Sequence, residues 1–292
     1  MKIKKAVILC GGFGTRFLPI TKVFPKEMLP IIDRPVLDYI IDEVKDSGIG
    51  QIMLVISPSK TVIPQYYSPD PQLTKKLTER KQTAALGILA KIGGAEISYA
   101  VQEDAEGSGH ALSLAESFCG GEPFALLNGD DVVYSETPAV GQLSRAYERC
   151  GLSVIGMQRR PEPEIRRYGV ADLAGAGVDG LYKLKGIIEK PSAPELSSDL
   201  CSLGRYVFTP DIFDAIRRTP YCGFELRLTD AISALIASSG AYAYEFTGRR
   251  YDMGDKYETI EAAIEFALRN PEYADRLKAY LNKLTKELGA NP

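Results

Sequence analysis

Lys5-Ala6-Val7-Ile8-Leu9-Cys10-Gly11-Gly12-Phe13-Gly14-Thr15-Arg16 carries an apolar run of strand length directly into a glycine-rich loop. A run without polar alternation reads as a strand buried on both faces, the signature of a parallel sheet. The loop after such a strand is where an open α/β sheet receives its ligands. Downstream, Val36 to Ser47 has helical periodicity, with Leu37, Ile40, Ile41 and Val44 on one face and Gly48 as the stop. Gln51 to Ile56 is then a second strand. Strand, helix and strand joined by a right-handed crossover open a doubly wound sheet, so the fold class is α/β.

The pattern repeats along the chain. Glu96 to Val101 and Pro123 to Leu127 read as strands, His110 to Phe118 and Pro138 to Cys150 as helices, and Thr61 to Leu89 as helix in pieces. Beyond Gly151 the texture changes: Leu152 to Met157, Tyr168 to Leu173, Gly180 to Ile188 and Ser202 to Phe208 read as strands with few helices between them, a β-rich insertion covering the far end of the sheet. Helices return at Asp211 to Arg217, Leu228 to Ala237 and Asp255 to Leu268, followed by an amphipathic tail from about Glu272 to Leu288. The expected organisation is one domain over 1–270, with residues of about 1–150 and 151–255 as its two parts, and a helical tail over 271–292.

Bulk properties narrow the function. With 35 basic and 38 acidic residues the net charge is -3, so no global positive field draws nucleic acid or an anionic membrane. The longest apolar stretches fall well short of a membrane span or a signal-peptide core. Five scattered cysteines, with no Cys-x-x-Cys pair, fit a reducing cytoplasm. A single histidine, His110, rules out a multi-histidine metal site and leaves carboxylates, lysines, arginines and backbone amides to do the chemistry.

The glycine loop suits close approach of backbone N–H groups to phosphate, but it matches neither the dinucleotide fingerprint, which wants glycine at Phe17, nor a Walker A loop. Glycines alone are equally a tight turn; Arg16, a bidentate phosphate partner, favours the ligand reading. Lys26 stands between Pro25 and Pro30 in a stiffened segment that presents it at one place. Asn128-Gly129-Asp130-Asp131 closes an apolar strand, and Asp252 and Asp255 lie in a second acidic cluster. Magnesium takes one or two carboxylates plus substrate phosphates. Asp255 has an ordinary use as a helix N-cap, which favours Asp252 as the second ligand. Gln102 with Glu106-Gly107-Ser108-Gly109-His110, and Glu189-Lys190-Pro191, read as two further ligand loops, each with a structural alternative when taken singly.

Together these segments resemble the bacterial UTP:glucose-1-phosphate uridylyltransferases of the sugar nucleotidyltransferase superfamily. The resemblance runs from Gly11 to Arg16 through Pro25 to Pro30, Gly107 to Ala111, Asp130-Asp131, Tyr168-Gly169-Val170, Glu189-Lys190-Pro191, Gly204-Arg205-Tyr206, Leu228 to Ile232 and Arg250 to Lys256, in order and over most of the chain. It implies a Rossmann-like nucleotidyltransferase fold, with a mixed central sheet flanked by helices, a β-rich sugar-binding portion and C-terminal helices. By similarity, Gly11, Gly12, Gly14, Thr15, Arg16 and Lys26 would hold the nucleotide, with Gln102 and Gly107 at the base. Gly169, Glu189 and Lys190 would hold glucose 1-phosphate, and Asp130 with Asp252 would bind Mg2+. Arg16, Lys26, Asp130 and Lys190 would form the catalytic set. Tails in this family often join a homo-oligomer, so a dimer or tetramer is expected. Cys10-Gly11-Gly12 and Gly129-Asp130-Asp131 stand where relatives usually have Ala-Ala-Gly and Pro-Asp-Asp, variants found in sister enzymes using dTTP or CTP. Those activities, and a catalytically idle nucleotide-binding paralogue, are the competing readings.

Overall fold

The computed structural model describes residues 2–92 and 94–289. In chain order these form β1 (Lys5–Cys10), a short hairpin of β2 (Pro30–Ile31) and β3 (Arg34–Pro35), α1 (Val36–Asp46), β4 (Gln51–Ile56), α2 (Val62–Tyr67), α3 (Pro71–Glu79), α4 (Thr83–Leu89) and β5 (Glu96–Val101). Then come α5 (Ser108–Ser113), α6 (Glu116–Cys119), β6 (Phe124–Asn128), β7 (Asp131–Tyr134), α7 (Ala139–Cys150) and β8 (Ser153–Arg159). The remainder is β9 (Gly169–Leu173), β10 (Leu181–Glu189), β11 (Leu200–Phe208), α8 (Asp211–Arg218), α9 (Leu228–Ser239), β12 (Ala241–Glu245), β13 (Arg249–Asp252), α10 (Lys256–Arg269) and α11 (Ala274–Gly289).

Among the described residues, nine strands make one mixed sheet in the order β5-β4-β1-β6-β11-β8-β12-β10-β9. The chain leaves β1 toward β4 and β5 on one side, then returns to place β6 on the other side, all four parallel. The point where the direction of winding reverses therefore lies between the carboxyl ends of β1 and β6, and a crevice opens there. Leu9 pairs with Asn128, and the Gly129 N–H donates to Leu9 O at 2.9 Å, so the glycine loop and the Asp130 turn emerge side by side.

The apolar run of β1 is explained by burial on both faces. Ala6 and Ile8 pack into a core with Leu37, Ile40 and Leu143, while Val7 packs on the opposite face with Phe124, Leu126 and Phe213. Along β6 the same division separates Ala125 and Leu127 from Phe124 and Leu126. Alternate side chains of a strand point to opposite faces, and here both faces are covered.

Two details differ from the sequence reading. The strands after Gly151 do not cover the sheet; they extend it, because β11 pairs antiparallel with β6 from Arg205 opposite Leu127 to Phe208 opposite Phe124. The helix expected over His110 to Phe118 is two short pieces, α5 and α6, ending at Gly120 in a left-handed conformation. The tail forms α11 and leans on α10, whose Phe266 packs edge-on against Tyr39 with ring centroids 5.0 Å apart. Residues 290–292 of the expected tail lie outside the described residues. Among the described residues no helix is long and apolar enough to cross a membrane.

Candidate active site

The glycine loop leaves β1 and tightens into a short turn, Thr15–Phe17. Its path is pinned by a residue far away in sequence. Lys60 is buried and donates to Gly12 O at 2.7 Å and to both carboxylate oxygens of Glu27 at 2.8 Å. Glu27 is fully buried; burial pushes its carboxyl up, while Lys60 and Lys26 pull it down. Leaving either partner alone would strand a buried charge, which costs several kcal/mol. Lys60 thus ties the loop to the turn that carries Lys26, and it is a positioning residue that the sequence did not point to.

Lys26 reaches across to Asp130, with Nζ donating to Oδ2. Burial alone would lower the Lys26 ammonium, but Asp130 and then Glu27 outweigh it and hold it above its ordinary value. Burial would likewise raise Asp130, yet the charge and hydrogen bond of Lys26, with Arg250 and Arg16 beyond, keep the carboxyl below its ordinary value. Both groups are therefore charged at neutral pH.

Asp252, at the end of β13, lies 3.5 Å from Arg16. A side chain on Gly254 would meet Arg16 Nη2 at 2.7 Å, Asp252 Oδ1 at 2.9 Å and Asp130 Oδ2 at 3.2 Å, so glycine is needed for these groups to converge. Asp130 and Asp252 thus form an all-oxygen pair, the donor type a hard divalent cation prefers. No cluster of three or more His, Cys, Asp or Glu side chains suited to a metal exists among the described residues, so the pair would need substrate oxygens to complete a coordination shell. Asp255 caps α10, accepting from the N–H groups of Tyr257 and Glu258.

Asp131, one residue from Asp130, has a different environment. Its carboxylate accepts from Nε of Arg250 at 2.8 Å and from Nη2 of the same guanidinium, and from Asn128 Nδ2 at 2.9 Å. Burial, with Asp130 and Asp252, pushes Asp131 up while Arg250 opposes; the forked contact from a guanidinium that has nowhere to lose its proton makes the ionised pair the stable one. Arg205, completely buried, backs the turn by donating to Asp131 O while bonding the Glu43 carboxylate at 2.8 to 3.1 Å.

Two cavities meet on this turn. One, of about 360 Å³, is lined by Gly11, Gly12, Phe13, Gln102, Gly107 and Asp130 among others. The second, of about 610 Å³, is lined by Arg16, Asp130, Gly169, Glu189, Lys190 and Asp252, with Arg166, Arg167, Tyr168 and Thr229. Asn128, Asp130 and Ser108 belong to both. Gly14 and Thr15 lie on the far side of the loop, where Thr21 Oγ1 donates to Gly14 O at 2.8 Å and Thr15 lines a separate cavity with Lys26. Of the sequence-predicted residues, Gly11, Gly12, Arg16, Gln102, Gly107, Asp130, Gly169, Glu189, Lys190 and Asp252 line these two cavities; Lys26 reaches them through its contact with Asp130, and Gly14 and Thr15 line neither. Glu189 accepts from Thr229 at 2.8 Å, while Lys190, at φ 46, projects a mostly exposed side chain. No individual role was assigned from sequence to Arg166, Arg167, Thr229, Asp131 and Arg250, although Asp131, Thr229 and Arg250 fall inside segments that carry the resemblance; for Arg166 and Arg167 the signal was their place before Tyr168-Gly169.

A glycine loop and a lysine-paired carboxylate at the switch point of such a sheet define a class: enzymes that handle nucleotide phosphates. The chain belongs to the nucleotidyl transferase family, whose model matches residues 5–268. Members of this family typically use a divalent metal. The chain is 43% identical over 286 residues to the UTP–glucose-1-phosphate uridylyltransferase of Bacillus subtilis, covering 97% of both chains. It is 42% identical over 285 residues to that of Staphylococcus epidermidis, covering 97% of this chain and 99% of the relative. A UTP-bound enzyme from Acinetobacter baumannii superposes with a TM-score of 0.89 at 31% identity, covering 97% of this chain and 99% of that one. A UDP-glucose pyrophosphorylase solved with UDP-glucose superposes at 0.82 with 32% identity, covering 92% and 100%.

Proposed function

We propose that this chain joins UTP to glucose 1-phosphate, giving UDP-glucose and pyrophosphate. The observation that carries the reading is the meeting of two cavities at Asp130, with Lys26 held against it. The smaller cavity takes the nucleotide, with the Gly11 to Arg16 loop and Lys26 at its phosphates and Gln102 and Gly107 at its base. The larger one takes the sugar phosphate, with Gly169 and Glu189 toward the sugar and Lys190 toward the phosphate. On this reading the parts of about 1–150 and 151–255 divide the two substrates between them, and 271–292 is a tail.

Base preference follows from the Gln102 amide. Its nitrogen donates to Gly107 O at 3.0 Å, so its oxygen is left toward Gly11, where an added Cβ would lie 2.8 Å from Oε1. An acceptor there matches the N3–H of uracil or thymine, whereas on cytosine it faces the N3 lone pair and is satisfied only if the base shifts to bring its 4-amino group to it. This supports UTP over CTP.

A phosphate oxygen of glucose 1-phosphate is anionic near neutral pH and attacks the α-phosphorus directly. The new P–O bond forms as the bond to the β-phosphate oxygen breaks, and pyrophosphate leaves with that electron pair. No general base is needed, so the protein's work is alignment and charge compensation. Lys26 and Arg16 offset negative charge on the departing phosphates, and Lys190 steadies the attacker. Asp130 and Asp252 would hold Mg2+, which when bound supplies neutralisation of phosphate charge. We also infer that the apolar stripe of the tail, Tyr273 just before α11 and Leu277, Tyr280, Leu281 and Leu284 within it, with Tyr280 exposed, joins a dimer or tetramer, and that the enzyme works in the cytoplasm.

The test is incubation of purified protein with glucose 1-phosphate, Mg2+ and each nucleoside triphosphate in turn, monitoring pyrophosphate. Release that is fastest with UTP is expected. No release with UTP, or faster release with CTP, overturns the reading.

A further inference from the structure

The one histidine is not idle. His110 lies in the first turn of α5, and its Nδ1 is 3.1 Å from Gln102 Nε2. The carboxamide of Gln102 has two N–H donors on that nitrogen, and both have acceptors in place: Gly107 O at 3.0 Å and His110 Nδ1. A backbone carbonyl can only accept, which fixes the amide with its nitrogen toward Gly107. The imidazole contact then requires Nδ1 to be the unprotonated nitrogen and puts the ring proton on Nε2, the atom lying 3.6 Å from Glu106 Oε1.

We propose that His110 is a positioning residue for base selection. By engaging the second amide proton it keeps Gln102 Oε1 turned into the smaller cavity as an acceptor, and so favours a pyrimidine that carries N3–H over one that does not. The inference rests on the nucleotide occupying that cavity. Three features make the lock stiff. Gln102 is buried and its backbone N–H is tied to Ile56 O at 2.8 Å. Gly109, beside His110, donates to Leu226 O at 2.8 Å, and Leu226 N–H donates to Glu106 O at 2.7 Å, so the loop bearing the histidine is closed by backbone bonds. Gln102 thus has no spare donor to offer a cytosine ring nitrogen unless it gives up one of these partners, and an unsatisfied buried group is costly.

His110→Leu removes the acceptor while keeping apolar bulk, and His110→Asn restores an acceptor on a shorter side chain. In steady-state assays with saturating glucose 1-phosphate, His110→Leu should lose about fivefold of the UTP-over-CTP preference, the factor worth one neutral hydrogen bond. The loss should fall on the KM for UTP rather than on kcat, and His110→Asn should recover most of it. A purely structural role would instead move the KM for glucose 1-phosphate and the melting temperature as well. Calorimetric binding of UMP and CMP to the same proteins reads the lock without turnover. Preference within twofold of the parent in His110→Leu, or the same loss in both variants, overturns the inference while leaving the proposed reaction standing. A parent that prefers UMP to CMP yet makes no nucleotide sugar sinks the reaction and leaves the lock; a parent with no uridine preference sinks the lock.

Discussion

The loop segment from Gly11 to Met28 and the turn from Asn128 to Asp131 face each other across one crevice, but they handle charge in opposite ways. Apart from Arg16, which lies 3.5 Å from Asp252, the carboxylates at the loop are held by lysines. Lys26 holds Asp130 at the cavity wall, and Lys60 holds Glu27 beneath it. In the turn the cations are arginines: Arg250 forks onto Asp131, and Arg205 onto Glu43. A lysine ammonium is a compact charge on a flexible stem and can trade a carboxylate for a phosphate; an arginine fork loses its geometry if it moves. Two adjacent aspartates therefore have different work. Asp130 is the exchangeable one and Asp131 is part of the frame.

That contrast can be broken at three places. The largest effect should come from Arg205→Met, which leaves Glu43 buried without its partner. A stability loss of about 3–5 kcal/mol is expected in denaturant titration, and a loss under 1 kcal/mol would mean the arginine fork is not structural. Next is Lys26→Ala, which should cut turnover by about 10²–10³, the usual cost of one charge-stabilising donor, while the circular dichroism spectrum stays that of the parent. Near-normal turnover would remove Lys26 from the chemistry. The smallest is Asp255→Ala, removal of a helix cap, with about 1 kcal/mol lost; burial opposes, but the Tyr257 and Glu258 N–H groups and Arg167 hold the Asp255 carboxyl below its ordinary value, so melting temperatures of parent and variant should differ above about pH 4 and converge below it.

The Lys26–Asp130 pair also has a pH signature. Asp130 has a folded pKa below its unfolded value, so its contribution is complete above about pH 4 and fades as pH falls through the lower folded value. Lys26 has a folded pKa above its unfolded value, so its contribution is complete below about pH 10.4 and fades as pH rises past that. Melting temperatures of parent and Lys26→Ala should accordingly run parallel from pH 5 to about 9, with the gap closing below about pH 4. A gap that changes instead near pH 7 would point to another titrating group.

Local pattern was enough for much of this protein. The uninterrupted apolar run Lys5–Cys10 announced a strand covered on both faces, and periodicity from Val36 announced α1, because side-chain spacing is set by backbone geometry within a few residues. The glycine loop, Lys26, Asp130, Asp252 and Lys190 were legible because phosphate and metal chemistry draws on few residue types and these stood next to strand ends. Lys60 was not, and although Arg205 and Arg250 fall inside segments that carry the resemblance, their partners were not. Each acts on a carboxylate or carbonyl 33 to 162 residues away, and no local spacing records such a partner. The two short helices α5 and α6 and the continuation of the sheet through β11 were likewise settled only by packing. Burial decides which charges must pair, and burial exists only once the chain has closed on itself.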